Sequence, residues 1–233
     1  TVDFIAGTSA GSIIGAAHAA GISWEEMWDL AQQLRWGEVV QPSFSGLGLV
    51  RTDRLQQLME RVLGEVTFDQ LAIPFSAVAV DIGSAQEVVL SSGSVAVAAK
   101  ASSSVPGIFE PVQLDGRLLV DGGVLNNVPS RIVKEMGADI VIAVDLNTDV
   151  AVTRRPANLI DMTFRTFTVL MWAASREGRE LADFLIEPEV ATIGYHELNK
   201  RNQLYDAGVA AAEAVVPEIL RRLKHPWFSS LRG

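Results

Sequence analysis

The segment GTSAGS, residues 7–12, is the strongest indication of the fold of this chain. A short apolar run at 2–6 precedes it and a longer run of apolar and small residues at 13–20 follows it, which predicts a strand, a tight turn and a helix. A Gly-x-Ser-x-Gly turn in that setting is typical of a nucleophile elbow. We expect Gly7 and Gly11 to be required because strand and helix pack too closely there for side chains.

Ser9 stands at the centre of this turn. Strain in the backbone between the glycines is expected to lift the Ser9 hydroxyl clear of the main chain, and the following helix points the positive end of its dipole at the same place. Two other interpretations remain open: a turn of small residues that only packs a helix on a strand, and an anion-binding cradle at a helix N-terminus. A Walker lysine and the longer dinucleotide fingerprint are both absent from the sequence, which disfavours phosphate binding.

The composition is that of one α/β domain. The chain has 233 residues, 48% hydrophobic and 20% charged, and we expect a single domain over 1–224 followed by a tail, 225–233. The net charge of −9 argues against nucleic-acid partners and against electrostatic docking to anionic membranes, so a lipid would have to be engaged by an apolar surface. Cysteine is absent, and no apolar run reaches the ~18–20 residues of a spanning helix. We expect no signal peptide in residues 1–20, because they contain no basic segment and are predicted to form a strand and the elbow helix. The expected location is cytoplasmic, with peripheral contact to a membrane.

Strands alternate with helices along the chain, which predicts a mostly parallel sheet with helices on both faces. The strands are expected at 75–81, 87–90, 112–114, 117–120, 140–145 and near 184–186. The first four are expected to form two hairpins, and 140–145 is expected to be a buried strand. The helices are expected at 23–35, 52–63, 94–101, 129–137, 157–180 and 199–224.

A serine nucleophile needs a base, and histidine is the usual one. His18 lies on the same predicted helix as Ser9, ~13 Å along its axis, which is beyond hydrogen-bond reach. His196 and His225 both fit the order Ser…Asp…His of α/β-hydrolases. An esterase triad that uses one of these two histidines is therefore one alternative.

Carboxylates offer a second kind of base. Asp121 ends a predicted strand and is followed by Gly122 and Gly123, and sites in open α/β sheets form at the carboxyl ends of strands. Asp81 and Asp145 also end predicted strands. Position alone does not choose among the three aspartates.

Several ordered segments resemble bacterial patatin-like phospholipases, and together they cover nearly the whole chain. The matching segments are DFIAGTSAGS at 3–12, ASSSVPGIFEPV at 101–112, VDGGVLNNVP at 120–129, GAD at 137–139 before the strand that ends at 145, and IGY at 193–195.

The resemblance implies a three-layer α/β/α sandwich and hydrolysis of carboxylic esters of lipids, of the phospholipase or lysophospholipase type. It implies a Ser–Asp dyad in which Ser9 is the nucleophile and Asp121 the base. Ala10 would offer its N–H to the oxyanion, within the elbow of Gly7 and Gly11. The turn of Gly122 and Gly123 would support the base. No metal or organic cofactor is implied, and the substrate would be a lipid ester at a membrane surface.

One segment of the family pattern has no counterpart in this sequence. Patatin-like domains begin with an earlier strand and a glycine-rich loop that supplies oxyanion N–H groups, whereas only eight residues precede Ser9. The loss of one oxyanion donor costs ~10²–10³ in rate, so we expect impaired activity from this polypeptide alone. A catalytically inactive patatin-like domain with an interaction or regulatory role is the remaining alternative.

Overall fold

The computed structural model describes residues 2–147, 155–194 and 197–224. Its strands are β1 (Ile5–Thr8), β2 (Gln41–Pro42), β3 (Val50–Arg51), β4 (Phe75–Asp81), β5 (Gln86–Leu90), β6 (Val112–Leu114), β7 (Arg117–Asp121), β8 (Ile142–Val144) and β9 (Phe184–Ile186). Its helices are α1 (Ala10–Ala19), α2 (Trp24–Gln33), α3 (Trp36–Val39), α4 (Asp53–Leu63), α5 (Val95–Ser102), α6 (Ser130–Glu135), α7 (Leu159–Ala174), α8 (Arg176–Leu181) and α9 (Arg201–Leu223).

Strand β4 is the centre of the main sheet. Ala77 and Val78 pair with β5 on one edge and with β1 on the other. Residues 79–81 pair with β5 on the first edge and with β7 on the second. Because β1 runs parallel to β4 and β7 antiparallel, these two strands lie end to end along one edge, with their carboxyl ends facing each other. Strand β6 extends the sheet beyond β7.

The sheet is mixed, which corrects the expectation of a mostly parallel one. Among the described strands of the main sheet, β1 and β4 alone pair in parallel, whereas β5, β6 and β7 make antiparallel pairs. The two predicted hairpins, β4–β5 and β6–β7, account for two of the three antiparallel pairs, since a short turn reverses the chain. The third pair, β4 with β7, joins strands of the two different hairpins. The second parallel pair, β8 with β9, forms a separate two-stranded sheet.

Helices cover both faces of the main sheet. Alternate residues of β4, namely Phe75, Ala77 and Ala79, pack into apolar clusters with helices α1, α4 and α5. The intervening Ser76 points to the opposite face, where its hydroxyl approaches the sulfur of Met136 at the end of α6. Helix α6 in turn packs against β1 and α8. The predicted three-layer α/β/α sandwich is confirmed.

The predicted strand at 140–145 is shorter and less buried than expected. Strand β8 covers three of these residues, and the side chains of Ile142 and Val144 are 43% and 56% exposed. Val141 and Ala143, by contrast, are buried. Within the described part of the chain, β8 pairs with β9 alone, so only one of its edges is covered.

The helices follow the predicted cap residues closely. Helix α2 begins after Ser23, whose hydroxyl accepts the N–H of Glu26, while the Glu26 carboxylate accepts the N–H of Ser23. The single helix predicted at 157–180 is two helices, α7 and α8. They meet at Ser175, whose hydroxyl donates to the carbonyl of Met171.

No helix in the described ranges combines the length and the apolar character that crossing a bilayer requires.

Candidate active site

Ser9 is the turn residue between β1 and α1, and its backbone is strained. Its φ of 54° and ψ of −125° lie in a region that residues with a side chain rarely adopt, at a typical cost of about 1–3 kcal/mol. The Ser9 carbonyl accepts two hydrogen bonds from Ser12, one from its backbone N–H at 2.8 Å and one from the Ser12 hydroxyl at 2.7 Å. Ala10 is the first residue of α1, so its N–H has no helical acceptor before it. The predicted elbow geometry is present.

The two glycines of the elbow differ in what surrounds them. A Cβ on Gly7 would lie 2.2 Å from the carbonyl oxygen of Gly11, so no side chain fits at Gly7. A Cβ on Gly11 would meet no heavy atom within 4 Å among the described residues outside its chain neighbours and the backbone of its own helix. The expectation that both positions require glycine is therefore correct for Gly7 and wrong for Gly11.

The main sheet brings Ser9 and Asp121 together. Thr8, the last residue of β1, lies opposite Val78, and Asp121, the last residue of β7, lies opposite Ala79. Because Val78 and Ala79 are consecutive, the two strand ends meet, and the residue that follows β1 is Ser9. The Ser9 hydroxyl is close enough to Asp121 to lower the pKa of that carboxyl group.

Asp121 is buried and incompletely hydrogen-bonded. Its side chain is 0% exposed, and its Oδ1 accepts the N–H of Gly123 at 2.8 Å. Its Oδ2 has no partner within hydrogen-bond geometry among the described residues, so the Ser9 hydroxyl lies near the carboxyl group without completing a hydrogen bond to that oxygen. Burial raises the pKa of Asp121 to about 7, and the Ser9 hydroxyl and the Gly123 N–H oppose that rise.

Gly122 and Gly123 form a tight turn after Asp121. A Cβ on Gly122 would lie 2.3 Å from the carbonyl oxygen of Val78, and one on Gly123 would lie 2.8 Å from Cγ of Met171. The turn therefore packs directly on strand β4 and on helix α7. Side chains at these two positions would push the Asp121 turn away from the elbow.

Two hydrogen bonds tie the Asp121 turn to the elbow strand and to β5. The hydroxyl of Thr8 donates to the carbonyl of Asn126 at 2.8 Å in a buried contact. The side-chain amide of Asn126 donates to Glu87 at 2.8 Å, and Arg131 pairs with the same carboxylate at 2.6 Å. The sequence alone gave no signal for this connection, because its members come from distant segments.

Ser102 is the last residue of α5, and Ser104 follows it closely. Sequence reasoning did not identify either as a partner of Ser9 or Asp121. The Ser9 N–H donates to the Ser102 hydroxyl at 3.0 Å, and the Asp121 N–H donates to the Ser104 carbonyl at 2.9 Å. Both serines lie in the segment 101–112, which carries part of the family resemblance but no predicted role for either residue. Their spacing carries no helical or strand periodicity that would mark a role.

The two competing aspartates have other partners. The Asp81 carboxylate accepts the hydroxyl of Ser84 at 2.7 Å and nearby backbone N–H groups, and these hydrogen bonds lower the pKa of Asp81. The buried Asp145 forms an ion pair with Arg179 at 3.0 Å. Each therefore has a local structural role away from Ser9, which distinguishes them from Asp121.

His18 is exposed on α1, consistent with the expectation that it does not reach Ser9. His196 and His225 lie outside the described residues, as does the tail 225–233. Within the described residues, no histidine hydrogen bonds to Ser9 or Asp121.

Residues 1–134 match the family described as Patatin-like phospholipase. An uncharacterized NTE family protein of Mycobacterium bovis is 36% identical over 156 residues, which is 66% of this chain and 43% of that protein. An uncharacterized NTE family protein of Mycobacterium tuberculosis is 26% identical over 249 residues, which is 94% of this chain and 43% of that protein. Patatin-like phospholipase domain-containing protein 7 of Mus musculus is 30% identical over 163 residues, 63% of this chain and 12% of that protein. The chain thus spans less than half the length of these relatives.

The contrast between the two elbow glycines predicts opposite effects of alanine. Gly7→Ala forces a Cβ against the backbone of Gly11 and is expected to lower the free energy of unfolding by about 1–3 kcal/mol. Gly11→Ala meets open space on a helix and should be neutral or stabilising by up to about 1 kcal/mol. Denaturant midpoints of both variants check this, and equal destabilisation by the two would contradict the geometry.

The raised pKa of Asp121 predicts a pH-dependent gain in stability for Asp121→Asn. As the pH rises from about 4 to about 7, the unfolded chain releases this proton while the folded chain keeps it, so the free energy of unfolding of the parent falls. Because asparagine does not titrate, the Asp121→Asn variant does not undergo this fall in the free energy of unfolding. The variant should therefore gain stability over the parent across this window, reaching several kcal/mol, with no further gain above about pH 7. Unfolding curves at a series of pH values measure the difference, and a gain that is independent of pH would contradict the assignment.

Proposed function

The chain belongs to the patatin-like phospholipase family, and on this basis we propose that it hydrolyses carboxylic esters of lipids through an acyl-enzyme on Ser9, with Asp121 as general base. The observation that carries the proposal is the fully buried carboxyl group of Asp121 beside the strained elbow of Ser9. We further infer that residues 1–224 act as one hydrolase domain.

Acylation requires that the Ser9 hydroxyl lose its proton as its oxygen attacks the ester carbonyl. The proton passes to Asp121, and a C–O bond forms between Ser9 Oγ and the acyl carbon. When the tetrahedral intermediate collapses, the bond to the alcohol portion of the lipid breaks. Asp121 then returns the proton to that alcohol oxygen, and the acyl group remains on Ser9.

Deacylation runs through the same two residues with water in place of the alcohol. Asp121 takes a proton from water as the water oxygen attacks the acyl carbon. Collapse of the second tetrahedral intermediate breaks the bond to Ser9 Oγ, and the proton on Asp121 returns to that oxygen. The fatty acid leaves, and both residues regain their starting protonation.

Burial gives Asp121 the basicity that this mechanism needs. An aspartate with an ordinary pKa of about 4 is a poor base for a hydroxyl group. Burial raises the pKa of Asp121 to about 7, near which general base catalysis is most effective at neutral pH. A single carboxylate can therefore serve where other serine hydrolases use an imidazole and an aspartate.

The N–H of Ala10 is the group best placed to stabilise the oxyanion. It is the first N–H of helix α1, directly after the nucleophile, and the positive end of the helix dipole lies at the same point. Ser9's own N–H is engaged by Ser102 and is not available for this role.

The loop between α3 and α4 supports a lipid as substrate. It exposes three large apolar side chains, with Phe44 97% exposed beside Leu47 and Leu49. The N–H groups of Leu49 and Val50 donate to the carbonyl of Ile108, so the loop is fixed to the segment that follows Ser104. We infer that this loop contacts the acyl chains of the lipid at a membrane surface, where apolar contact replaces the electrostatic attraction that a net charge of −9 disfavours.

A fluorophosphonate probe tests the proposed nucleophile, because it phosphonylates activated serines only. We expect stoichiometric labelling of the parent on Ser9, with none in Ser9→Ala. The labelling rate should rise with pH to a plateau above about 7, since ionised Asp121 is the base. Asp121→Asn should slow labelling by at least about 10²-fold.

Asp81→Asn is the matched control, because it neutralises another strand-ending aspartate, whose hydrogen bonds go to its own turn and to the N–H of Leu118 rather than to Ser9. It should label like the parent. Failure of the parent to label would favour a catalytically inactive domain, and labelling that survives Asp121→Asn would remove Asp121 from the mechanism.

A further inference from the structure

The hydroxyl of Ser102 links the elbow to the central strand. It accepts the backbone N–H of Ser9 at 3.0 Å and donates to the carbonyl of Val78 at 2.6 Å. Ser102 is fully buried at the last turn of α5. Its single proton and one of its lone pairs are therefore both used, in contacts that join three separate segments of the chain.

The same short segment also holds the backbone of the proposed base. Two residues after Ser102, the carbonyl of Ser104 accepts the N–H of Asp121 at 2.9 Å. The segment is itself fixed to α5 by two hydrogen bonds. The N–H of Ser103 donates to the carbonyl of Ala99 at 3.1 Å, and the hydroxyl of Ser104 donates to the carbonyl of Lys100 at 2.9 Å. The backbone N–H groups of Ser9 and Asp121 are thus held by one rigid segment.

The contact of Ser102 differs from the ordinary hydrogen bonds of a helix-end serine. The Ser104 hydroxyl donates to the carbonyl of Lys100 in the preceding helix, four residues earlier, which stabilises only local structure. Ser102 instead reaches a residue 93 positions away along the chain. Its partner is Ser9, whose left-handed backbone persists only if its surroundings hold it.

We propose that Ser102 is a positioning residue for the reaction, whose hydroxyl fixes the Ser9 backbone so that the nucleophile faces Asp121. The assignment rests on the proposed function, since it acts through Ser9. Removing the hydroxyl leaves the Ser9 N–H and the Val78 carbonyl without this partner, and the Ser9 backbone is then joined to β4 through the pairing of β1 and no longer through Ser102. A misplacement of about 1 Å at a reacting atom can lower a rate by about 10²-fold.

Ser103 supplies the matched control. It is the next residue in the chain and also buried, but its hydroxyl has no hydrogen-bond partner among the described residues. Ser103→Ala therefore removes the same atom from a neighbouring site without breaking a described contact. It should keep the kcat of the parent, and its stability should be equal or higher, because a buried unsatisfied hydroxyl is costly.

The test compares hydrolysis of p-nitrophenyl butyrate by the parent, Ser102→Ala, Ser102→Cys and Ser103→Ala. The two Ser102 variants should lose about 10–100-fold in kcat with KM within about twofold. Cysteine keeps nearly the volume of serine but donates weakly, so Ser102→Cys decides the outcome if Ser102→Ala does not fold. Parent-like kcat in a folded Ser102 variant would overturn the proposal.

The titration of Asp121 gives a readout that a purely structural role would not move. The Ser9 hydroxyl lowers the pKa of Asp121, so a displaced Ser9 should let that pKa rise. The carboxyl carbon resonance of Asp121, followed by NMR against pH, should titrate at a higher midpoint in Ser102→Ala and Ser102→Cys than in the parent or Ser103→Ala. An unchanged midpoint would overturn the proposal.

The titration of Asp121 does not depend on catalysis, so it distinguishes a failure of the proposed function from a failure of the positioning role of Ser102. A parent that neither hydrolyses the ester nor labels refutes the proposed function, while the midpoints still decide whether Ser102 positions Ser9. An active parent with active Ser102 variants refutes the positioning role alone.

Discussion

One edge of strand β4 is the constraint on which the site depends. It carries two strands of opposite direction end to end, so the residue after β1 and the last residue of β7 are brought to one point. No flexible loop sets the separation of Ser9 and Asp121, because the register of both strands on β4 sets it. The Ser102–Ser104 segment then holds the backbone of each residue from the α5 side.

This arrangement lowers stability in two places. Ser9 adopts a backbone conformation that costs about 1–3 kcal/mol, and Asp121 is a carboxyl group buried with one oxygen lacking a hydrogen-bond partner among the described residues. Tight packing around them prevents relaxation: Gly7 lies against Gly11, and Gly122 lies against β4. In the proposed reaction the strain presents Ser9 as the nucleophile and the burial makes the Asp121 carboxylate a stronger base, so the proposal accounts for both costs.

Local signals in the sequence were sufficient for the elbow, the helix caps and the two hairpins. Ser23 and Ser94 begin helices as their side chains predict, and the Gly-x-Ser-x-Gly turn specifies its own geometry. The choice of Asp121 over Asp81 and Asp145 could not come from position, because it depends on what surrounds each carboxylate, such as Arg179 beside Asp145. Strand direction in the sheet and the open space at Gly11 likewise depend on segments distant in sequence.

The central claim is that the carboxylate of Asp121 is the base and that no imidazole takes part. The pH profile of kcat/KM in a chain that carries His18→Gln, His196→Gln and His225→Gln tests it most directly. The account predicts activity close to that of the parent, with a rise centred at about pH 7 that belongs to Asp121. Loss of activity in the histidine-free chain, or loss of that rise, would contradict the account.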